Sequence, residues 1–266
     1  MKILFILIFL LLSQLCFSQN IRDTINNSDS ANTSFEKINK RSYYYENGNL
    51  KTEELYDKNK IPHGVWTEYY ENGQLKIKQE FSNKVRLNSL IGMHGFGNIT
   101  GEYIYYYKNG QLRFKLEFNN GKMVDGIFYE FYENGNKKQY GELKQGLRDG
   151  EWTELYENGD LRSKGTYYPG SYRACGRAAY IEYYEYKTGL WEYYYQGQKL
   201  MAKGVYENEI IDIKNGCSTV PVNCGALHKK WIFKDINGKK ISLKEFKKSN
   251  LIENKEIIER RVFRPL

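Results

Sequence analysis

The chain has 266 residues and a net charge of +8, and it contains 25 tyrosines but only 4 prolines. Every tyrosine lies between Tyr43 and Tyr206. This clustering excludes one uniform domain, and the aromatic content excludes a disordered middle, because disordered segments are poor in aromatic residues. Hydrophobic residues make up 41% of the chain and the mean hydropathy is −0.71. These values exclude a polytopic membrane protein, which needs repeated apolar runs of ~20 residues.

The first 18 residues have the features of a secretory signal peptide. Lys2 gives a positive start, residues 3–12 form an apolar run too short to span a membrane, and Ser18 follows with a small side chain. We therefore expect an exported protein that is periplasmic, cell-surface or secreted, with a short membrane anchor as the alternative. Residues 19–41 are polar and rich in Asn and Ser, which predicts a flexible leader.

Positive charge is concentrated at the C-terminus. Residues 239–266 hold nine Lys or Arg against four Glu, a difference of +5. The rest of the mature chain is close to neutral, so we expect no nucleic-acid partner. The basic tail indicates either a cap on the fold or attachment to a membrane surface.

The cysteines predict little chemistry. Cys217 and Cys224 bracket a short segment and are candidates for a disulfide in an oxidising compartment, with two reduced thiols as the alternative. The scattered His and Cys residues lack the paired spacing of a zinc site, so no metal or other cofactor is expected.

An Asn-Gly pair recurs and divides the middle of the chain into similar units. The pairs lie at 47–48, 72–73, 109–110, 134–135, 158–159 and 237–238, and Gly197-Gln198 falls in register as a seventh turn. The spacings of 25, 37, 25, 24, 39 and 40 residues indicate insertions in the third, sixth and seventh units. Asn-Gly favours two-residue type I′ turns, in which both residues have positive φ, so each unit is predicted to be a β-hairpin.

The predicted turns assign side chains to the two faces of a sheet, because residues alternate between faces along a strand. Face A repeats a Trp or other aromatic residue, then a Tyr before the turn and a Leu after it. The face A positions are Trp66, Tyr70, Leu75, Tyr107, Leu112, Phe128, Tyr132, Trp152, Tyr156, Leu161, Trp191, Tyr195, Leu200 and Trp231. We predict that this aromatic ladder forms the core, with a ligand-stacking surface as the alternative.

Face B is predicted to carry Tyr69, Tyr106, Phe131 and Leu155, with Lys76, Arg113, Lys138 and Arg162 respectively across the strand pair. An exposed cation–ring pair is worth ~0.5–1 kcal/mol. The candidate binding surface on this face comprises Tyr69, Lys76, Tyr106, Arg113, Phe131, Lys138 and Arg162. The alternative is a solvated face whose rings are covered by Lys and Arg stems.

Two insertions are assigned from local pattern. Residues 180–185 copy the first-strand pattern of residues 66–71, which predicts an extra first strand paired with the next one. Residues 87–100 are rich in glycine and are predicted to form a loop.

The pattern Gly-x-Trp-x-x-x-Tyr-x-Asn-Gly-x-Leu-Lys resembles the bacterial variant of MORN (membrane occupation and recognition nexus) repeats. It is clearest in residues 63–76 and 149–162, and the resemblance covers about residues 42–246. We expect an all-β fold of tandem antiparallel hairpins, forming an extended twisted sheet or open solenoid. The repeats would occupy residues 42–206, and residues 207–266 would form a degenerate final repeat with a basic tail or cap.

The resemblance implies a scaffold for protein partners, since proteins with this variant are often antitoxins of toxin–antitoxin systems. The signal peptide would suit immunity to an exported toxin. A weaker resemblance to choline- and glucan-binding modules of bacterial surfaces implies instead a glycan- or envelope-binding module. Association with a membrane surface through the basic tail is a third alternative.

No nucleophile–base arrangement is visible, so the chain is not expected to be an enzyme. Glu68, Glu130 and Glu154 recur at one strand position. We interpret them as hydrogen-bonding or ion-pairing groups within the sheet. The alternative is a glycosidase, which would need two carboxyl groups ~5–10 Å apart.

Overall fold

The computed structural model describes residues 39–82, 99–174, 180–214, 219–228, 230–249 and Ile257. These residues form one antiparallel sheet of sixteen strands and a short helix. The strands are β1 (Asn39–Tyr44), β2 (Leu50–Tyr56), β3 (Gly64–Tyr69), β4 (Leu75–Phe81), β5 (Ile99–Tyr106), β6 (Leu112–Asn119), β7 (Lys122–Met123), β8 (Gly126–Phe131), β9 (Lys137–Lys144), β10 (Leu147–Leu155), β11 (Leu161–Ala174), β12 (Tyr180–Tyr194), β13 (Leu200–Lys214), β14 (Thr219–Leu227), β15 (Ile232–Lys234) and β16 (Lys240–Ile241). The helix, α1, spans Leu243–Lys248.

Neighbouring strands in the sheet are also neighbours in the chain. The order runs from β1 to β6, then β8 to β13, β15 and β16, while β7 pairs with β6 and β14 pairs with β13. The predicted all-β fold of tandem antiparallel hairpins is therefore confirmed. In the described part of the chain, no helix has the length and apolarity that a membrane crossing requires.

Several sequence predictions fall wholly or partly outside the described residues. The proposed signal peptide at 1–18 lies outside them, as does the leader except for residues 39–41. Those three residues belong to β1, so the first strand begins earlier than predicted. The predicted loop at 87–100 is described only at its last two residues, which begin β5.

The Asn-Gly turns have one more residue in the loop than predicted. In the first hairpin, the Gly48 amide donates to the Tyr45 carbonyl oxygen at 3.0 Å, and the Tyr45 amide donates to the Asn49 carbonyl oxygen at 2.8 Å. Gly48 has φ +85°, whereas Asn47 is not among the described non-glycine residues with positive φ. This is a three-residue loop, a type I turn followed by a left-handed glycine. The predicted type I′ geometry is wrong at these turns.

Type I′ geometry occurs instead in two connections between hairpins. Asn120 and Gly121 have φ values of +49° and +76°, and Gln145 and Gly146 have φ values of +53° and +79°. Each pair joins two directly bonded strands. The Asn-Gly pair at 120–121 lies outside the 25-residue period.

The longer loop is accompanied by a shift in strand register. Glu68 pairs with Ile77, but Tyr69 pairs with Leu75 and not, as predicted, with Lys76. Lys76 is the extra residue of a β-bulge, which changes the face on which a side chain lies. Equivalent shifts occur at Tyr44–Leu50, Tyr106–Leu112, Phe131–Lys137, Leu155–Leu161 and Tyr194–Leu200.

The predicted extra strand at 180–185 is wrong, because residues 180–194 form the single strand β12. Gly189 has φ +66°, and the register shifts between Lys164 and Thr166 opposite it, so this glycine forms a bulge and not a turn. The first half of β12 therefore extends the β11–β12 hairpin, with Tyr168 opposite Tyr186 and Ala174 opposite Tyr180.

A second extension is made by β13 and β14, which pair from Tyr206–Leu227 to Lys214–Thr219. The two extensions pack against each other through Tyr184, Tyr186 and Val222. The Asn223 amide also donates to the Tyr184 hydroxyl at 2.9 Å. Together they form a second, smaller apolar cluster beside the repeat array.

Aromatic rings form the main core along face A. Successive rings are in contact from Phe128 through Trp152, Tyr167 and Trp191 to Tyr206, with centroid separations of 5.0–6.3 Å. Trp152 and Trp191 are each only 1% exposed. The aromatic residues that recur on the two strands of each hairpin thus form one continuous column of rings.

Three glycines allow this close packing. A Cβ atom added to Gly165 would lie 2.1 Å from the Trp191 ring, and Gly141 and Gly204 are covered in the same way by Trp152 and Trp231. The indole therefore lies directly on the backbone of the preceding hairpin. The sequence signal for this contact, a glycine six residues after the second turn residue, was not part of the prediction.

The described C-terminal residues form a hairpin and a capped helix. The β15–β16 hairpin contains the Asn237-Gly238 turn, and α1 begins with a capping box between Ser242 and Glu245. Phe246 of α1 is fully buried and its ring lies 4.6 Å from that of Phe233.

Candidate functional site

The tyrosines before the turns link each hairpin to the next. Their hydroxyls donate to carbonyl oxygens of the following repeat at 2.8–3.0 Å: Tyr45 to Tyr69, Tyr70 to Tyr106, Tyr107 to Phe131, Tyr132 to Leu155, Tyr156 to Tyr194 and Tyr195 to Lys234. We call this series the tyrosine ladder. Burial raises the pKa of Tyr70 to about 12. Because a carbonyl oxygen only accepts hydrogen bonds, each hydroxyl of the ladder acts as the donor.

The turn asparagines make a parallel series of contacts. In the first five turns the Asn Oδ1 accepts from the amide two residues later. In the first four, Nδ2 also donates to a carbonyl oxygen of the next turn at 2.8–3.2 Å: Asn47 to Glu71, Asn72 to Lys108, Asn109 to Glu133 and Asn134 to Glu157. Asn is therefore needed at these turns for its side chain and not for positive φ.

The tryptophans bond in the opposite direction. Trp66 Nε1 donates to the Leu55 carbonyl oxygen at 2.7 Å, and the other three indoles also donate to carbonyls of preceding strands. The remaining predicted face A positions, Leu75, Leu112, Leu161 and Leu200, are half-buried residues directly after the turns. Their assignment to face A is wrong, because the shifted register pairs them with the face B residues Tyr69, Tyr106, Leu155 and Tyr194. The described contacts of the face A tyrosines and tryptophans thus hold neighbouring hairpins together.

The predicted binding surface is divided between the two faces of the sheet. Lys76 forms an ion pair with Glu68 at 2.6 Å and lies 5.8 Å from the Tyr70 ring, so it shares face A with them. The predicted pairs of Lys76 with Tyr69, Arg113 with Tyr106, Lys138 with Phe131 and Arg162 with Leu155 are wrong. The bulge after each turn is the physical reason, because its extra residue moves the cation to the other face.

The recurring glutamates receive these cations. Glu130 has a side chain only 7% exposed and accepts from Arg113 and Lys138, both at 3.1 Å, and from Gln139 at 2.7 Å. Glu154 faces Arg162 at 3.4 Å and Arg148 at 3.8 Å. The arrangement balances charge between neighbouring hairpins. Among the described residues, no group of His, Cys, Asp and Glu side chains converges on a metal site.

A buried ion pair connects the array to the β11–β12 extension. The Arg148 amide and guanidinium both donate to the Glu185 carboxylate, which is 2% exposed. The guanidinium also lies 3.8 Å from the centroid of the Tyr167 ring. Burial raises the pKa of Glu185, and it raises the pKa of Tyr167 well above its ordinary value. These groups are enclosed and hold the two parts together.

Face B presents apolar side chains to solvent. Ile127 is 63% exposed, Leu190 51%, Val205 41% and Tyr129 40%. Leu190 and Val205 are cross-strand partners, and Ile232 lies on the neighbouring strand opposite Lys203. We define the β12–β13 patch as Leu190, Val205 and Ile232.

A second patch lies on β8 and β9. The Tyr129 ring stacks on that of Tyr140 with centroids 6.0 Å apart, and Phe131 lies 6.5 Å from Tyr129. Lys137 Nζ is 5.0 Å from the Tyr129 ring. We define the β8–β9 patch as Ile127, Tyr129, Phe131 and Tyr140. Of the predicted surface residues, only Phe131 belongs to either patch, while Tyr69 and Tyr106 are half-buried.

A group of charged side chains adjoins the β12–β13 patch on face B, since Lys203 is the cross-strand partner of Ile232. Glu192 pairs with Lys203 at 2.6 Å and with Lys164 at 2.9 Å, and its side chain is 12% exposed. Hydrogen bonds from Lys203 and Lys164 lower the pKa of Glu192 to about 2. The sequence prediction missed the patches, although Val65, Ile127 and Leu190 all stand one residue before the first-strand aromatic position.

Five segments of this chain match the MORN repeat variant. The matched residues are 39–58, 62–83, 99–120, 124–145 and 148–167. MORN-variant repeats are a non-enzymatic class of module, commonly used for binding or as scaffolds. The match identifies the repeat and does not extend to the antitoxin-type subclass.

The tyrosine ladder continues beyond the last matched MORN-variant repeat, since Tyr195 donates to the Lys234 carbonyl oxygen in the same way. The hairpin of β12 and β13 therefore follows the same structural rule. No curated protein matches the chain. The predicted Cys217–Cys224 disulfide stays a prediction, because Cys224 is buried in β14 and Cys217 lies outside the described residues.

Proposed function

We propose that this chain is an exported, non-enzymatic scaffold that binds a protein partner through face B. The observation that carries the proposal is the asymmetry between the two faces. The described Tyr, Trp, Glu and cationic groups of face A contact neighbouring repeats, whereas face B has two exposed apolar patches. Contiguous exposed apolar surface commonly marks an interaction site.

The test is partner capture from envelope extracts with wild-type and variant protein. We expect Leu190→Asp combined with Val205→Asp to abolish capture of a partner that the wild-type protein retains. Ile210→Asp is the matched control, because Ile210 is 68% exposed but lies on the β13–β14 extension outside both patches. If the control reduces capture as much as the double variant, face B is not the binding surface.

Export is a separate part of the proposal, supported by the apolar start of the sequence. The measurement is the N-terminal residue of the mature protein recovered from cell fractions. A chain that retains Met1 and remains inside the cell would contradict export without affecting the test of face B.

A narrower form of the proposal is immunity, in which the partner is an exported toxin. Its support is the resemblance of the repeats to those of antitoxin-type proteins, together with the predicted signal peptide. Co-expression should then protect cells from the captured partner, and the Leu190→Asp, Val205→Asp variant should not. A captured partner that is harmless to unprotected cells would remove this form alone.

Glycan or envelope binding is a second candidate, favoured by the stacked Tyr129 and Tyr140 rings on face B. A glycan array and sedimentation with cell walls test it directly. Binding that Tyr129→Ala leaves unchanged would count against these rings as the site.

Membrane-surface attachment is a third candidate. Its support is the group of exposed lysines at 239, 240, 244, 247 and 248, beside Ile236 and Leu243, which are 51% and 38% exposed. Binding to anionic vesicles should fall as salt increases, because exposed charges are screened. Triple charge reversal at Lys244, Lys247 and Lys248 should abolish it, and unchanged binding would contradict the proposal.

A further inference from the structure

The final turn lacks the side-chain contacts that hold the other asparagines. In the first five turns, the Asn Oδ1 accepts from the amide two residues later, as Asn134 does from Asn136 at 2.9 Å. At the final turn, the corresponding amide of Lys239 donates to Asp235 Oδ1 at 2.9 Å. The Asn237 amide also donates to Asp235 Oδ1, at 3.0 Å. Asp235 stands where the preceding repeats have tyrosine, and its carboxylate has taken the place of the asparagine side chain.

The Asn237 side chain is consequently exposed and makes no hydrogen bond with any residue that the structure describes. Asn47, Asn72, Asn109 and Asn134 also donate from Nδ2 to the next turn, and Asn158 donates to Asp160 at 2.9 Å. Five turn asparagines that precede glycine are therefore held, and a sixth, which also precedes glycine, is not.

Asn-Gly sequences undergo a well-defined intramolecular reaction. The backbone nitrogen of the glycine, after losing its proton, attacks Cγ of the asparagine. Ammonia leaves and a cyclic succinimide forms, which water then opens to aspartate or isoaspartate. No external oxidant or cofactor is required. The reaction needs the asparagine side chain to rotate towards the following nitrogen, so hydrogen bonds that fix the side chain oppose it.

We propose that Asn237 is a site of spontaneous deamidation and isomerisation in the folded protein, and that the repeat contacts protect the asparagines of the first five turns. The glycine amide does not account for this difference. Gly238 donates to the Asp235 carbonyl oxygen at 2.9 Å, and Gly48 makes the equivalent bond at 3.0 Å. The distinction lies in the side chain alone. The product places a new negative charge, and in part an extra backbone methylene, at the final turn.

The experiment follows deamidation site by site with peptide mass mapping of full-length protein aged in mildly alkaline buffer. Two lost hydrogen bonds correspond to at least about a fivefold difference in rate. Asn237 should therefore be modified at least about fivefold faster than the asparagines at 47, 72, 109 and 134. In protein unfolded with urea, all these sites should react at similar rates. The map also separates the further Asn-Gly pairs at 120–121 and 215–216.

The matched variants are Asp235→Tyr, which restores the residue of the repeat, and Asp235→Ala, which only removes the carboxylate. Both release the Lys239 amide to bond Asn237 Oδ1, so both should slow modification of Asn237 several-fold. Circular dichroism checks that each variant is folded. Equal rates at Asn237 and the protected asparagines in folded protein would overturn the proposal. So would an unchanged Asn237 rate in both folded variants.

Discussion

The tyrosine ladder makes a quantitative prediction about how the repeats are held together. Tyr107→Phe removes one hydroxyl that donates to the Phe131 carbonyl oxygen at 2.8 Å, and it leaves the ring in place. A typical intramolecular hydrogen bond contributes ~0.5–1.5 kcal/mol net. We therefore expect the free energy of unfolding to fall by about 1 kcal/mol.

The effect should accumulate along the array. Successive ladder hydroxyls are separated by one hairpin, or two strand spacings of ~4.8 Å, which gives ~10 Å. Effects at this separation usually add within ~0.3–0.5 kcal/mol. The triple variant with Phe at positions 70, 107 and 132 should therefore lose about 3 kcal/mol. Tyr129→Phe is the control, because its hydroxyl makes no hydrogen bond to a described residue and its ring is 40% exposed.

The assay is equilibrium unfolding in urea, monitored by fluorescence and circular dichroism. An unchanged denaturant slope is required, since a changed slope would indicate loss of two-state behaviour. The reasoning is refuted if Tyr107→Phe costs no more than Tyr129→Phe. It is also refuted if the triple variant costs no more than the single one.

Three further predictions concern packing and charge. Gly165→Ala should lower the free energy of unfolding by about 3 kcal/mol, because the added methyl group overpacks against the Trp191 ring. In a double-mutant cycle, the same substitution should cost much less in the Trp191→Leu background. Equal costs in the two backgrounds would contradict the close contact. Arg148→Met should lower the free energy of unfolding in urea by ~3–5 kcal/mol, because it leaves the Glu185 carboxylate buried and unpaired. Adding Glu185→Gln should restore part of that stability. A double variant as unstable as Arg148→Met would contradict the pairing. The pKa of Glu192 is lowered from 4.5 to about 2 in the folded state, so its contribution is present above 4.5 and is lost as the pH falls towards 2. Glu192→Gln should remove about 1 kcal/mol of this acid-dependent stability, and an unaltered pH profile would be the contrary result.

The hairpins were predictable because their signal is local. An Asn-Gly pair between strands of alternating polarity indicates a reversal of the chain, and the face A aromatics indicate a buried side. The turn type was not predictable in the same way. Asn47 and Asn120 are both followed by glycine, but only Asn120 has positive φ. The difference at Asn47 includes its bond to Glu71, which belongs to another repeat.

The difference in turn type explains why the predicted binding surface is wrong. One extra residue in the bulge placed Lys76 on face A beside Glu68, so the predicted pairing with Tyr69 failed. The exposed patches failed to appear in the prediction for another reason. Exposure of Ile127 and Leu190 depends on what neighbouring strands cover, and strand periodicity alone does not report it. Periodicity also does not identify the bulge at Gly189, because a glycine inside a strand pattern is compatible with a bulge as well as with a turn.

The insertions in the third, sixth and seventh units all enter at the end of the hairpins opposite the Asn-Gly turns. The seven turns keep the same pair of backbone hydrogen bonds, because in the array each turn must meet its neighbour at a fixed distance. The connections at the other end are not constrained in this way. They range from the two residues between β9 and β10 to the paired extensions beyond β11 and β13. New binding loops can therefore be grafted at that edge without re-engineering the array, and sequence diversification among natural variants should concentrate there.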